Sequence, residues 1–204
     1  MDTGIGKSPS RIPLFPLNAV LFPDGSLPLR IFEARYMDMT RECMRTQAPF
    51  GVCLIREGRE VGQPAVPASI GCLAHIVDWD MQQLGMLNLQ TRGGQRFRIL
   101  SSDSTSQGLL MGDVELIANE APTPVPDYLG DCVKLLQKFV ADRGESIFHA
   151  PHRMDDAGWV GCRLAEILPM PLPAKQRLLE IEVSEERLAL MHSLLQHNGM
   201  LRNL

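Results

Sequence analysis

Two hydrophobic rhythms divide this chain. From Ile12 to Ile117 the apolar runs are short and β-like, and turn residues separate them. Ile12–Phe15, Val20–Phe22 and Leu27–Ile31 are brief extended stretches broken by Pro13, Pro16, Pro23 and Pro28. Proline lacks the N–H that a strand ladder needs, so these strands are expected to be edge-like or irregular. Phe22-Pro23-Asp24-Gly25 has the residue order of a type I turn. One helix is predicted within this half, over Glu33–Gln47, where Tyr36, Met39 and Cys43 recur at helical spacing and Pro49 follows as a stop. Strands resume at Gly51–Ile55 and Ile70–Trp79. Met86–Thr91 then alternates, with Leu87 and Leu89 on one face and Asn88 and Gln90 on the other. Gly93-Gly94 predicts a hairpin turn that returns the chain through Arg96–Leu100, and Gly112–Leu116 alternates as the last strand. Short strands at this spacing predict a small barrel or sandwich.

The rhythm changes after Ala121-Pro122-Thr123-Pro124-Val125-Pro126, where three prolines in six residues favour a stiff extended connector. Asp127 is placed to cap a helix carrying Leu129, Val133, Leu136 and Val140 and ending near Gly144. Asp155 or Asp156 caps a second, with Val160, Leu164 and Ile167, closed by Pro169. Pro173 suits the first turn of a third helix that reaches Glu180. Ser184 is expected to cap a fourth, with Leu188, Met191 and Leu195 inward and Gly199 at its end. The expected organisation is a leader over 1–10, a β-rich lobe over 11–121, the connector over 122–126 and a helical lobe over 127–204. Each lobe is small enough to be only marginally stable alone, so the two are expected to unfold as one unit.

Bulk properties narrow the function classes. The chain has 204 residues, 45% of them hydrophobic, enough for an ordinary core. Net charge is −4. Thirteen acids face eleven bases before the boundary and eleven face nine after it, so each part carries −2. Neither half offers the basic stripe that tracks a phosphate backbone, and no nucleic-acid partner is expected. The five cysteines are scattered, with no CxxC, as in reduced cytoplasmic proteins. Met1–Ser10 lacks the apolar segment of a secretory signal, and no apolar run approaches the ~20 residues that span a bilayer. A cytoplasmic protein without a membrane partner is expected.

Three stretches together carry a resemblance. Ile12-Pro13-Leu14-Phe15-Pro16-Leu17-Asn18-Ala19-Val20-Leu21-Phe22-Pro23 precedes Leu27-Pro28-Leu29-Arg30-Ile31-Phe32-Glu33. Ile70-Gly71-Cys72-Leu73-Ala74-His75-Ile76-Val77-Asp78 precedes Gly94-Gln95-Arg96-Phe97-Arg98-Ile99. Leu172–Leu188 contains Lys175-Gln176 and Leu178-Leu179-Glu180 leading into Glu185-Glu186-Arg187-Leu188. In order and spacing, from Arg11 to Gln196, the chain resembles the N-terminal domain of Lon proteases, and more closely the small bacterial proteins made of that domain alone. One departure is Ala34, where related chains often carry proline. The resemblance implies an α+β fold: a β-rich, PUA-like pseudobarrel with an embedded helix, followed by a C-terminal helical lobe. It also implies a non-enzymatic module that recognises an unfolded polypeptide or protein partner.

The search for catalytic chemistry supports that expectation. Gly6-Lys7-Ser8 imitates the end of a Walker A loop, but Met1 stands where that loop needs its first glycine. His149, His152, Asp155 and Asp156 have metal-like spacing, which leaves a minor metal-dependent hydrolase as one alternative. A polar loop that supplies a helix cap explains them more simply. His75 is expected to be packed in its strand, and Arg92, Arg96 and Arg98 to be solvated outward residues rather than an anion site. RNA binding by a PUA-like barrel is the other alternative. No catalytic residue, metal or cofactor is expected. The candidate substrate-binding residues are Trp79, Met81 and Met86, because soft, amphipathic side chains between two strands suit an adaptable peptide-binding surface.

Overall fold

A computed structural model of the chain describes residues 10–60, 65–144 and 147–201. Residues 1–9, which include Gly6-Lys7-Ser8, lie outside the described residues. The chain divides into two compact units. The first holds residues up to Pro23 and Leu27–Ala118, and the second holds Asp24–Ser26 and Asn119–Leu204.

The first unit contains β1 (Ser10–Leu17), nearly all of β2 (Ser26–Ile31), α1 (Ala34–Thr46), β3 (Phe50–Glu57), β4 (Val66–Pro67), β5 (Ile70–Gln83), β6 (Met86–Ser104) and β7 (Leu110–Leu116). β1 pairs antiparallel with β7 through Ser10–Leu14 and parallel with β3 through Leu14–Leu17. With β7–β6, β6–β5 and β5–β3 also paired, five strands close into a ring. β2 joins the outside of this path on β6. The parallel β1–β3 pair needs a crossover, and the segment carrying α1 supplies it. The partner switch at Leu14 also explains the prolines. Pro13 lies where only β7 pairs with β1, and Pro16 where only β3 does, so each missing N–H has an unpaired side to face.

Alternation along β1 separates two apolar clusters. Leu14 packs with Cys53, Leu73, Phe97, Leu110 and Val114. Its neighbour Phe15 packs with Ile31, Tyr36, Met39, Phe50 and Val52, which ties α1 to the sheet. The Phe15 and Tyr36 rings stack with centroids 4.0 Å apart.

Three local expectations are corrected here. β6 runs unbroken through Gly93-Gly94, so the pair is not a hairpin turn. A Cβ at Gly93 would meet Phe22 O, and one at Gly94 would meet His75 Nε2 at 2.6 Å. These glycines permit close approach. Asp24 has φ 60, so the turn it occupies has the left-handed third residue of type II rather than type I. Val20–Phe22 forms no strand, although Leu21 and Phe22 are buried.

The second unit contains a 3-10 turn (Asp127–Leu129), α2 (Gly130–Arg143), α3 (Ala157–Ile167), α4 (Leu172–Glu180) and α5 (Ser184–His197). Asp156 caps α3 by accepting the Gly158 N–H at 3.0 Å. Pro173 stands in the first turn of α4. The proline-rich stretch is stitched to the start of α3: Ala157 N–H donates to Thr123 O at 2.8 Å and Val125 N–H to Asp155 O at 3.1 Å. Ser184 is not a cap. It opens α5, and its hydroxyl donates instead to the Glu120 carboxylate. That carboxylate also binds Arg187, which is buried and donates through Nε to Leu178 O at 2.9 Å. Among the described residues no helix is long and apolar enough to cross a membrane.

Candidate functional site

β5 and β6 form a hairpin arm whose two-residue turn is Leu84-Gly85, between the paired residues Gln83 and Met86. Gly85 has φ +81, a conformation that favours glycine and suits a tight hairpin. Two register shifts, at Ile76/Asp78 and Asp80/Gln83, give β5 an extra residue each time. Such bulges twist an arm and re-aim its side chains.

On its other edge β5 pairs with β3 only through Cys72–Ala74, because β3 starts at Phe50 opposite Ala74. The chain just before Phe50 is turning out of α1. Gln47 is left-handed at φ 54, Ala48 N–H donates to Cys43 O at 3.1 Å, and Pro49 follows. Helix termination therefore denies β5 a partner beyond Ala74. Between the end of α1 and β5 lies a groove of about 430 Å³, lined by Cys43, Met44, Gln47 and Ala48 on one side and His75–Trp79 on the other.

The groove combines apolar side chains at its base with a largely polar accessible lining that includes Gln47, His75 and one carboxylate, Asp78. Cys43 is buried, Met44 and Ile76 are half-buried, and both half-buried side chains pack on the core. Val77 is 51% exposed and Trp79 55%. Asp78 Oδ1 accepts the N–H of Trp79 at 2.9 Å. Burial, and then the nearby Glu42 charge, push the Cys43 thiol up to about 11. It therefore stays protonated at neutral pH and is no nucleophile. The lining holds no lysine or arginine. The single carboxylate favours a neutral or cationic segment over an acidic one.

Of the three candidate binding residues, the structure places Trp79 in the groove lining. Met81 is exposed further out on β5, at 43%, and Met86 is half-buried at the start of β6. Leu84, 96% exposed, forms the tip. The reading from sequence missed the α1 side of the groove, Cys43 to Ala48. Its signal was a helix stop at Pro49 immediately before a strand. His75 is exposed rather than packed, and Arg96 is buried rather than solvated.

The histidine loop has other work. His149 Nε2 lies 2.8 Å from Ser26 Oγ, and His152 packs against Trp159 with ring centroids 5.7 Å apart. Among the described residues no group of three or more His, Cys, Asp or Glu side chains is placed to hold a metal ion.

Comparison with known proteins bears on the whole chain. Residues 11–197 match the model of the ATP-dependent protease La (LON) substrate-binding domain. The Lon N-terminal domain protein from Xanthomonas campestris is 34% identical, covering 90% of this chain and 98% of that one, with a TM-score of 0.77. The N-terminal domain of Mycobacterium avium complex Lon protease shares the fold at 17% identity and a TM-score of 0.65, covering 89% and 95% of the two chains. The Lon protease of Anaeromyxobacter dehalogenans (strain 2CP-C) is 24% identical over 209 residues, which take in 92% of this chain but 23% of that protein. The α+β fold is shared with the two solved domains, and the chain belongs to the Lon substrate-binding domain family.

Proposed function

We propose that this chain recognises unfolded polypeptide segments or a protein partner, without catalysis of its own, through the groove between α1 and β5 and the apolar side chains of the arm. The observation that carries this reading is Trp79. It is a large amphipathic ring left 55% exposed at the groove, on a hairpin whose other strand is anchored in the core through Leu87 and Leu89. An exposed tryptophan beside the half-buried Met44 and Ile76 has the character of an energetic hot spot. Membership of a substrate-binding family supports a recognition role. The chain spans 23% of the Lon protease it matches, and no ATPase or protease role is proposed for these residues. A cytoplasmic setting is supported by five free, buried thiols.

Trp79→Ala tests the reading. Expected are an unchanged melting temperature and binding to a reduced, amidomethylated model protein weakened about thirtyfold, equivalent to about 2 kcal/mol. Undiminished binding, or loss of the fold, would remove Trp79 from the site.

A further inference from the structure

The unpaired edge of β5 bears on how such a segment is held. From His75 to Met81 the described residues include no strand partner for β5 on the side away from β6. Between bulges, every second residue of a strand turns both its N–H and its C=O to the same edge. Trp79 is one such residue here, its N–H taken by the Asp78 carboxylate rather than by β6. Such an edge is a template for another extended chain. Proteins commonly blunt exposed edges with charge and with bulges, and β5 has two bulges and Asp78. Yet its exposed residues include Val77, Trp79 and Met81 beside Asp78 and Asp80. A merely protected edge has no need of apolar side chains in water.

We propose that the β5 edge over His75–Met81 accepts an extended segment of the recognised polypeptide as an added strand. Its backbone pairs with β5, and alternate side chains lie over the α1 groove. This deepens the proposed function and rests on it. An extended backbone is the occupant because the edge offers a row of main-chain donors and acceptors, which a helix satisfying its own bonds cannot match. At about 3.4 Å per residue the stretch accommodates roughly five to seven residues. The preferred charge follows from the lining. Asp78 is its one formal charge, and that carboxylate now occupies the Trp79 N–H. An arriving carbonyl takes over that N–H, and the released carboxylate then pairs with a lysine or arginine of the segment. The selected sequence alternates apolar residues with neutral or basic ones and avoids acidic ones.

The probe is an acetylated, amidated heptapeptide alternating valine with lysine, titrated into the isotope-labelled full chain and followed by NMR. Two further peptides carry backbone N-methyl groups on the odd or on the even residues, and a third replaces lysine with glutamate. Strand addition predicts that one N-methyl pattern weakens binding at least tenfold while the other is tolerated. It also predicts slower exchange at the outward-facing amides between His75 and Met81, the Trp79 amide first among them, and severalfold weaker binding of the glutamate peptide. Equal binding of both N-methyl peptides, or no binding of the parent, overturns strand addition. If unfolded model protein still depends on Trp79 in that case, groove recognition stands without it. If neither ligand responds to Trp79→Ala, the proposed function fails and strand addition fails with it.

Discussion

A Cβ placed on Gly93 would stand 2.0 Å from the carbonyl oxygen of Phe22. That atom is backbone, so no side-chain rotation can clear it, and the strand or the Phe22 segment must shift. Gly93→Ala is expected to cost about 3 kcal/mol, at the high end for an overpacked site. Gly130 is the control. It begins α2 with helical φ and has nothing within 4 Å of its added Cβ. Gly130→Ala should gain about 0.5–1 kcal/mol by restricting the unfolded chain. Urea unfolding of the two variants beside the parent checks both signs. A neutral Gly93→Ala would show that close approach does not explain this glycine.

Glu120 and Arg187 make the second prediction. Arg187 is 2% exposed and donates to Glu120 Oε2 at 2.9 Å, and Ser184 shares the same carboxylate. Removing one partner strands a buried charge. Glu120→Gln should therefore lower stability by about 3 kcal/mol. The double variant Glu120→Gln/Arg187→Met should recover part of the loss, because no unpaired charge remains. A double-mutant cycle measures this. Additive losses would show that the pair is not coupled.

The buried thiols set an alkaline limit. Burial pushes Cys43 up to about 11 and Cys132 up to about 12 from an ordinary value of 9.0, and it raises Cys53 further still. Above about pH 9 the unfolded chain releases these protons while the folded chain keeps them. Stability therefore falls as pH rises from about 9 through 11, and these thiols have no such effect below that window. Urea midpoints between pH 8 and 10.5 read the slope. Alkylation at pH 8 should be slow in the folded protein and fast after unfolding. A thiol that reacts quickly in the folded state would contradict the protonated assignment.

Metal removal should change nothing. His149 is turned toward Ser26, and His152 toward the Phe148 and Trp159 rings. A chelator is expected to leave the melting temperature where it was. His149→Ala should cost about 1 kcal/mol, the worth of one hydrogen bond. A stoichiometric metal in unsupplemented protein, lost together with stability on stripping, would establish a site in this loop.

Much of the local chemistry that depended on neighbours along the chain was legible, although Asp24 makes a type II turn and Asp127 caps no helix. Helical spacing of Tyr36, Met39 and Cys43 located α1, Pro49 marked its end, and Asp156 capped α3 because its side chain needs only the N–H two residues on. The order and spacing of apolar motifs from Arg11 to Gln196 were sufficient to indicate the family. Residues with distant partners were decided only by the tertiary structure. Gly93-Gly94 carries the signature of a turn in sequence, yet what requires glycine at Gly93 is the backbone of Phe22, distant along the chain. Ser184 has the character of a cap until Glu120, 64 residues away, takes its hydroxyl. Trp79 could be selected by type, but whether it lay in the core or at a groove depended on where β3 stopped pairing with β5. Periodicity reports which way a side chain faces relative to its own element; what stands opposite is fixed only when the strand ring closes.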